Sequence, residues 1–435
     1  MSDANEVKFS LKVVIDKQRN KVLFAEADSD FTDVLLSFLT LPLGRILKVL
    51  EGHNGDKAPV IGSLTTLYRG LSSLNYFCFR GCSKYQLLNP CKSSGAECVK
   101  LKLTVDYPQP RKDLISEDIY CRKKSKTSRY ASKVSKTPVA NDGDKDVGFT
   151  IKSASFIITD DLQVAPVVPG SVLQILLNLG ITETDEAELR TLTLGYSEIV
   201  DLLKGSFISS TPLTDLIFPE RGQMDFVTNK LLPKVSKEES SSSSMKMTVK
   251  AMIQKSTNMI LFVEAKEDFV GFLFSFFIIP LGGVGCLLGG NTCLNNIDSL
   301  SRSISNLDGD KYLKTKDTKA MLLKPQISEI YNNYDHLFSF AEKGLSTPKS
   351  ARTYVGQEQI MYNVTDDLTV TPFCMTSSFS ILSRLKIPLS DIDEVDLEIG
   401  LDEGLRILKA SLTSTTALTD GLMNSIAEKQ PKQER

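Results

Sequence analysis

The carboxylates of this sequence recur in pairs. Glu26 precedes Asp30 by four residues, and Glu264 precedes Asp268 by the same interval; Asp160-Asp161 returns as Asp366-Asp367. Two carboxyl groups in unlike surroundings can divide the acid and base roles of a reaction between them. Glu26, Asp30, Asp160 and Asp161 are therefore the candidate catalytic residues, provided that the fold gathers them around one cleft. The same positions also have a plain structural use. Aspartate in a hairpin turn bonds its own backbone, and acids near a helix start favour the helix dipole.

Cys78, Cys82, Cys91, Cys98 and Cys121 fall in one stretch. Four thiolates can hold zinc tetrahedrally, which makes these the candidate metal ligands and zinc the candidate cofactor. Their intervals are wider than the two close pairs that structural zinc sites usually supply, so small core or surface thiols are the competing reading. Cys286, Cys293 and Cys374 are scattered and read as packing residues. Histidine-based nucleophilic catalysis needs an imidazole placed by a third group, and the chain has only His53 and His336. The run from Gly283 to Gly289 has some glycines of a phosphate-cradling loop, but a helical pattern precedes it where that motif needs a strand. Residues 111–136 hold nine basic side chains against three acids. They would suit phosphate contacts, a nuclear address or a phosphorylated loop, and a solvated mobile loop is the plainer alternative. Tyr120 and Tyr130 are too few for a base-stacking platform.

Composition narrows the classes. The chain has 435 residues, 41% hydrophobic and 24% charged, as a soluble globular protein does. With 51 basic and 53 acidic residues, it has no strong global field for nucleic acid or an anionic membrane. Its first residues resemble neither a secretory signal nor a transit peptide. Eight cysteines are too few for a disulfide scaffold. An intracellular location, cytoplasmic or nuclear and not secreted, is expected, with the sequon at Asn363 unused. Residues 269–290 carry no charge over a length that would span a bilayer. The related residues 31–50 contain Asp33, Arg45 and Lys48, and one charge near the centre of a span costs about 3 kcal/mol. Pro280 and its neighbouring glycines also interrupt the run, so a buried helical hairpin is expected and no transmembrane span.

The elements that must position these residues are written twice. The segment from Leu23 to Phe31 reappears from Leu261 to Phe269, and Pro42-Leu-Gly44 as Pro280-Leu-Gly282, both 238 residues on. Further along, Ile158 to Pro166 matches Val364 to Pro372, now 206 residues on. The second copy therefore lacks about 32 residues that the first holds between Asp106 and Gly148. A tandem duplication follows: a first copy over 7–219 with a basic insertion at 107–147, a serine-rich linker at 220–244, a second copy over 245–425 and a polar tail at 426–435. Within a copy, Phe9, Leu11, Val13 and Ile15 alternate as a half-buried strand requires. Asn20 and Asn258 suit the following turn, and residues 22–27 return as the second strand. Asp28 or Ser29 caps a helix on which Phe31, Val34, Leu35 and Phe38 share a face. Pro42 opens a second helix, and residues 61–74 form a third. Leu101, Leu103 and Val105 read as a strand. Residues 150–159 and 162–165 form a second hairpin, with helices over 171–180 and 197–204 beyond it. Hairpins followed by helices give an α+β class, two tandem related modules each with an N-terminal hairpin and a second hairpin-plus-helices part.

These residues resemble a known family. The hairpin leading into Leu23-Phe-Ala-Glu-Ala, the Leu39-Thr-Leu-Pro-Leu-Gly44 motif, Leu87-Leu-Asn-Pro90 and Thr159-Asp-Asp-Leu162 are similar to the plant domain-of-unknown-function 674 family. The resemblance covers both copies. It implies an uncharacterised plant protein and brings no activity, cofactor or site residue with it. Family members often carry more cysteines, in close pairs, after the first Pro-Leu-Gly than this chain does. The resulting expectation is a non-catalytic protein-interaction or scaffold module whose two duplicated domains engage a protein partner bivalently across a flexible tether. An enzyme with a carboxylate-lined cleft, or a zinc-assisted nucleic-acid-associated module, are the alternatives.

Overall fold

A computed structural model describes residues 8–91, 148–170, 172–178, 180–181, 187–219, 246–332, 334, 336–338, 353–356 and 361–429. Cys98, Cys121, the basic run at 111–136, the expected strand at 101–105 and the serine tract lie outside the described residues.

In the N-terminal half, β1 (Phe9–Asp16) buries Phe9, Leu11, Val13 and Ile15 on one face, as its alternation requires. Asn20 takes the left-handed turn position, with φ 47°, and β2 (Lys21–Ala27) returns. Asp28 caps α1 (Ser29–Ser37), its Oδ1 accepting the Phe31 N–H at 2.9 Å. Then come α2 (Leu43–Asn54), α3 (Gly62–Ser73) and α4 (Ser83–Leu88). The second hairpin is β3 (Phe156–Thr159) and β4 (Val164–Pro166). It is followed by α5 (Val172–Asn178), β5 (Ala187–Leu194), α6 (Tyr196–Ile208) and α7 (Pro212–Ile217). The antiparallel sheet runs β4-β3-β2-β1-β5.

The C-terminal half repeats this order. It comprises β6 (Met247–Gln254), β7 (Met259–Ala265), α8 (Glu267–Ser275), α9 (Leu281–Leu287) and α10 (Asn295–Asn306). The single turn α11 (Gly309–Tyr312) and α12 (Lys316–Leu323) come next. Then follow β8 (Tyr362–Thr365), β9 (Val370–Pro372), α13 (Met375–Leu385), β10 (Ile392–Ile399), α14 (Leu401–Thr413) and α15 (Ala417–Lys429). Its sheet, β10-β6-β7-β8-β9, is the same arrangement read from the other edge. Even the irregularities coincide. The first hairpins slip register at Val14/Ile15 and at Met252/Ile253, and Leu162 and Leu368 both take positive φ, 61° and 62°.

The α+β class expected from the sequence is the observed one. Two strands, β5 and β10, add to the expected elements, and in β10 Val395, Leu397 and Ile399 alternate with acids. The strand expected from residue 150 begins only at Phe156, because Thr150 is drawn aside. Its N–H and hydroxyl both reach Asp33 Oδ1 at 2.8 Å, and its backbone bridges to Leu313. The uncharged residues 269–290 form α8, the tight turn Phe276–Ile278 and α9, largely buried. Among the described residues no helix is long and apolar enough to cross a membrane.

The two halves interlock. Leu41–Leu43 and Ile279–Leu281 pair back to back, with Leu43 N–H donating to Ile279 O at 3.0 Å and Leu281 N–H to Leu41 O at 2.9 Å. Beyond this seam each half lends its third helix to the other. α3 packs on α14, and α10 packs on α6 and β4. The loops that follow are held across as well: Arg80 N–H donates to Tyr354 O and Lys314 N–H to Phe149 O. One hydrophobic cluster, from Phe9 to Ile426, runs through both halves. Their separation is therefore set by packing, not by the reach of the serine tract.

Candidate functional site

Asp160 and Asp366 occupy the same place in the two second hairpins, and each is consumed by one threonine. Thr214 donates its N–H to Asp160 Oδ1 at 2.9 Å and its hydroxyl to Oδ2 at 2.8 Å. The Thr214 hydroxyl in turn accepts the Val22 N–H at 2.9 Å. Thr419 repeats this with Asp366, at 2.7 and 2.8 Å, and accepts the Ile260 N–H at 2.9 Å. The chain of bonds ties hairpin turn, helix start and central strand together. Burial pushes both carboxyls up in spite of these donors, that of Asp366 to about 6.

Asp161 faces another way. It accepts hydroxyl hydrogens from Thr159 at 2.5 Å and from Ser299 of α10 at 3.1 Å, and the Gln163 amide at 2.9 Å. Burial raises its carboxyl, but these hydrogen bonds together hold it below the ordinary value. Glu26 stands opposite Lys12 in the β1–β2 register, 4.0 Å from its Nζ. Asp30 sits in the first turn of α1. The four candidate carboxylates thus serve a turn–helix clamp, a contact between halves, a cross-strand pair and a helix start, and none of the bonds just given joins two of them.

One of the four does line a cleft. Where the Asp161 turn meets the start of α10 lies a polar cavity of about 550 Å³. The N-terminal half contributes Asp161 and Ser210, and the C-terminal half Asn291, Asn296, Asp298 and Arg302. Asn296 is 2% exposed, and its Nδ2 donates to Ser206 O at 3.3 Å and Ser209 O at 2.6 Å across the seam. Asp298 accepts the Thr292 N–H at 3.1 Å and the Thr292 hydroxyl at 2.8 Å. Burial raises its carboxyl, while the Thr292 bonds, Lys409 and Arg302 draw it down. Lys409 also donates to Asn291 Oδ1 at 3.3 Å. Except for Asp161, the sequence reading singles out none of these residues for chemistry, because it attends to what the two copies share. The signal was in the unshared letters: α10 begins Asn295-Asn296 where α3 begins Gly62-Ser63.

The other candidates disperse. Cys78 is buried, Cys82 exposed and Cys91 intermediate, and all are free thiols. Among the described residues no three His, Cys, Asp or Glu side chains are placed to hold a metal. Gly283 and Gly285 lie within α9, a helix rather than a phosphate-binding loop. His53 approaches Asp201 at 3.5 Å, and His336 Nε2 lies 2.9 Å from Tyr331 O.

A second kind of surface lies on the outer layer. α13 covers the outer face of its sheet, setting Ile381 and Leu382 against Met252, Leu261 and Phe262. At about 100° per residue its apolar arc is about 160° wide, broader than the sheet can cover. Met375 and Phe379 overflow into solvent, 76% and 71% exposed, and Leu389 beyond the helix end is 74% exposed. In the N-terminal half Leu173 and Leu177 on α5, and Leu189 on β5, are exposed.

No curated protein and no solved structure shows a significant match to this chain. The family model described as a protein of unknown function (DUF674) matches residues 5–344 and again 335–435. With nearly the whole chain matched, the protein belongs to the DUF674 family.

Proposed function

We propose that the chain is a non-catalytic protein-interaction scaffold whose contact surfaces are the apolar outer layers of two halves descended from one duplicated module. The observation that carries this reading is the exposure of Met375 and Phe379, one turn apart on α13, with Leu389 also exposed beyond the helix end. Contiguous apolar side chains in solvent mark interaction surfaces. The methionine and phenylalanine suit a partner that presents an apolar helical face, since such residues anchor helix-in-groove contacts. The exposed leucines of α5 and β5 make a related surface on the N-terminal half, and the shared core holds the two at a fixed spacing. Two of the duplicated acids, Asp160 and Asp366, have their carboxylate oxygens engaged by threonines, which favours a structural role for them over acid–base work.

The test uses the full chain with Met375 and Phe379 both changed to Glu. Both side chains are exposed, so melting should stay within about 1 °C of the parent. A protein retained on the immobilised parent is purified and titrated against both forms. At least about a tenfold loss of affinity is expected for the double variant; equal affinity for both forms would remove this surface from the function.

A further inference from the structure

The cleft between α10 and the Asp161 turn has properties that a protein-docking surface does not use. Its volume of about 550 Å³ falls within the range of small-molecule sites. Asn296 lines it, and the two carbonyls that Nδ2 serves fix which way the amide points. That leaves the Asn296 Oδ1, a buried acceptor, without a donor. Folded proteins leave few such atoms, because each forfeits the hydrogen bond it had in water.

The surrounding charges cancel. Asp161 and Asp298 are negative groups, and Arg302 and Lys409 stand close enough to Asp298 to act on its carboxyl. A strong anion or cation would gain little from such a balance. The side chains of the lining are instead groups with paired hydrogen-bonding atoms: carboxylates with two acceptors, asparagine amides with donor and acceptor side by side, two serine hydroxyls and a guanidinium fork. Adjacent hydroxyls on a carbon chain or ring offer donors and acceptors at matching intervals. No aromatic ring lines the cleft among the described residues, so a flat heterocycle would have nothing to stack on.

We propose that this cleft binds a small neutral polyhydroxylated molecule, a polyol or monosaccharide, with Asn296 Oδ1 accepting one hydroxyl and Asp298 and Arg302 engaging others. The equivalent place in the other half is built differently. There α3 carries Ser63 and Thr65 where α10 has Asn296 and Asp298, and the Ser63 hydroxyl is already donated to Ser414 O at 2.7 Å. One site per chain follows.

Titration calorimetry of the full chain with glucose, sorbitol and myo-inositol tests this, with glucose 6-phosphate and glucosamine as charged controls. At least one neutral probe should saturate one site with a Kd below about 10 mM, and the charged controls should bind more weakly. Asn296→Ser should weaken that binding at least about tenfold. Because Asn296 also fastens α10, a second variant is needed: Arg302→Ala, at the exposed rim, should weaken binding about fivefold with melting unchanged. Failure of all three neutral probes to saturate, tighter binding of a charged control, or binding that survives both substitutions unchanged would each overturn the proposal.

Discussion

The two seams between the halves, α3 on α14 and α10 on α6, occupy equivalent places and are closed by different means. At the first, backbone meets backbone. Gly62 has φ +44°, and a Cβ there would stand 2.6 Å from Ser411 O. This lets the Ser63 N–H and hydroxyl both reach Ser414 O at 2.7 Å. At the second, an exposed Asn295 takes the place of the glycine. The Asn296 amide reaches across to Ser209 O, the position matching Ser414, and the cleft opens beside it. On matching scaffolds the two seams thus differ at two adjacent residues, one closing on backbone and the other bordering the cleft.

The severest way to break this comparison is Gly62→Asn, which gives α3 the first residue of α10. The closest atoms are backbone and have little room to yield, so a loss of about 4 kcal/mol in urea unfolding is expected. A loss under about 1 kcal/mol would show that the first seam is no tighter than the second. Next in size is the pH response of Asp366. Its carboxyl is raised to about 6 by burial, so the folded chain holds that proton more tightly than the unfolded chain does. The resulting stability is fully present below about pH 4 and is lost as pH rises through about 6, up to about 3 kcal/mol in all. Unfolding free energies of parent and Asp366→Asn, measured from pH 4 to 8, should diverge over that window; parallel curves would refute the assignment. The smallest effect sharpens the comparison where the halves agree. Thr214→Val and Thr419→Val each leave a buried carboxylate oxygen and a strand N–H without a partner, at about 2 kcal/mol apiece. Unequal losses, differing by more than about 1 kcal/mol, would mean that the two clamps are not equivalent.

Much of this fold was legible in the chain. Alternation in Phe9 to Ile15 placed β1, the Asp28 cap placed α1, and the two matching turns at Asn20 and Asn258 were identified from residue type alone. The edge strands β5 and β10 were missed although Val395, Leu397 and Ile399 alternate with acids along β10; each strand pairs with a single neighbour and is mostly half-buried or exposed, so the alternation covers only part of its length. The interlock was hidden for another reason: α3 and α10 are amphipathic whichever half they cover, and periodicity fixes a buried face without naming what buries it. The site was half legible. Asp161 was picked out for its type and recurrence, whereas Asn296 and Asp298 matter through where α10 docks.

The reciprocal loan of α3 and α10 constrains how such a chain comes into being. On the ribosome, the first sheet must wait for residues beyond the serine tract before its last covering helix arrives, so the N-terminal half emerges with an apolar flank open. A gene encoding a single half would leave its third helix with no host except a sister molecule, and the natural solution would be a symmetric pair exchanging helices. Carrying both units in one chain would turn that meeting of strangers, dependent on concentration, into an event that always finds its mate.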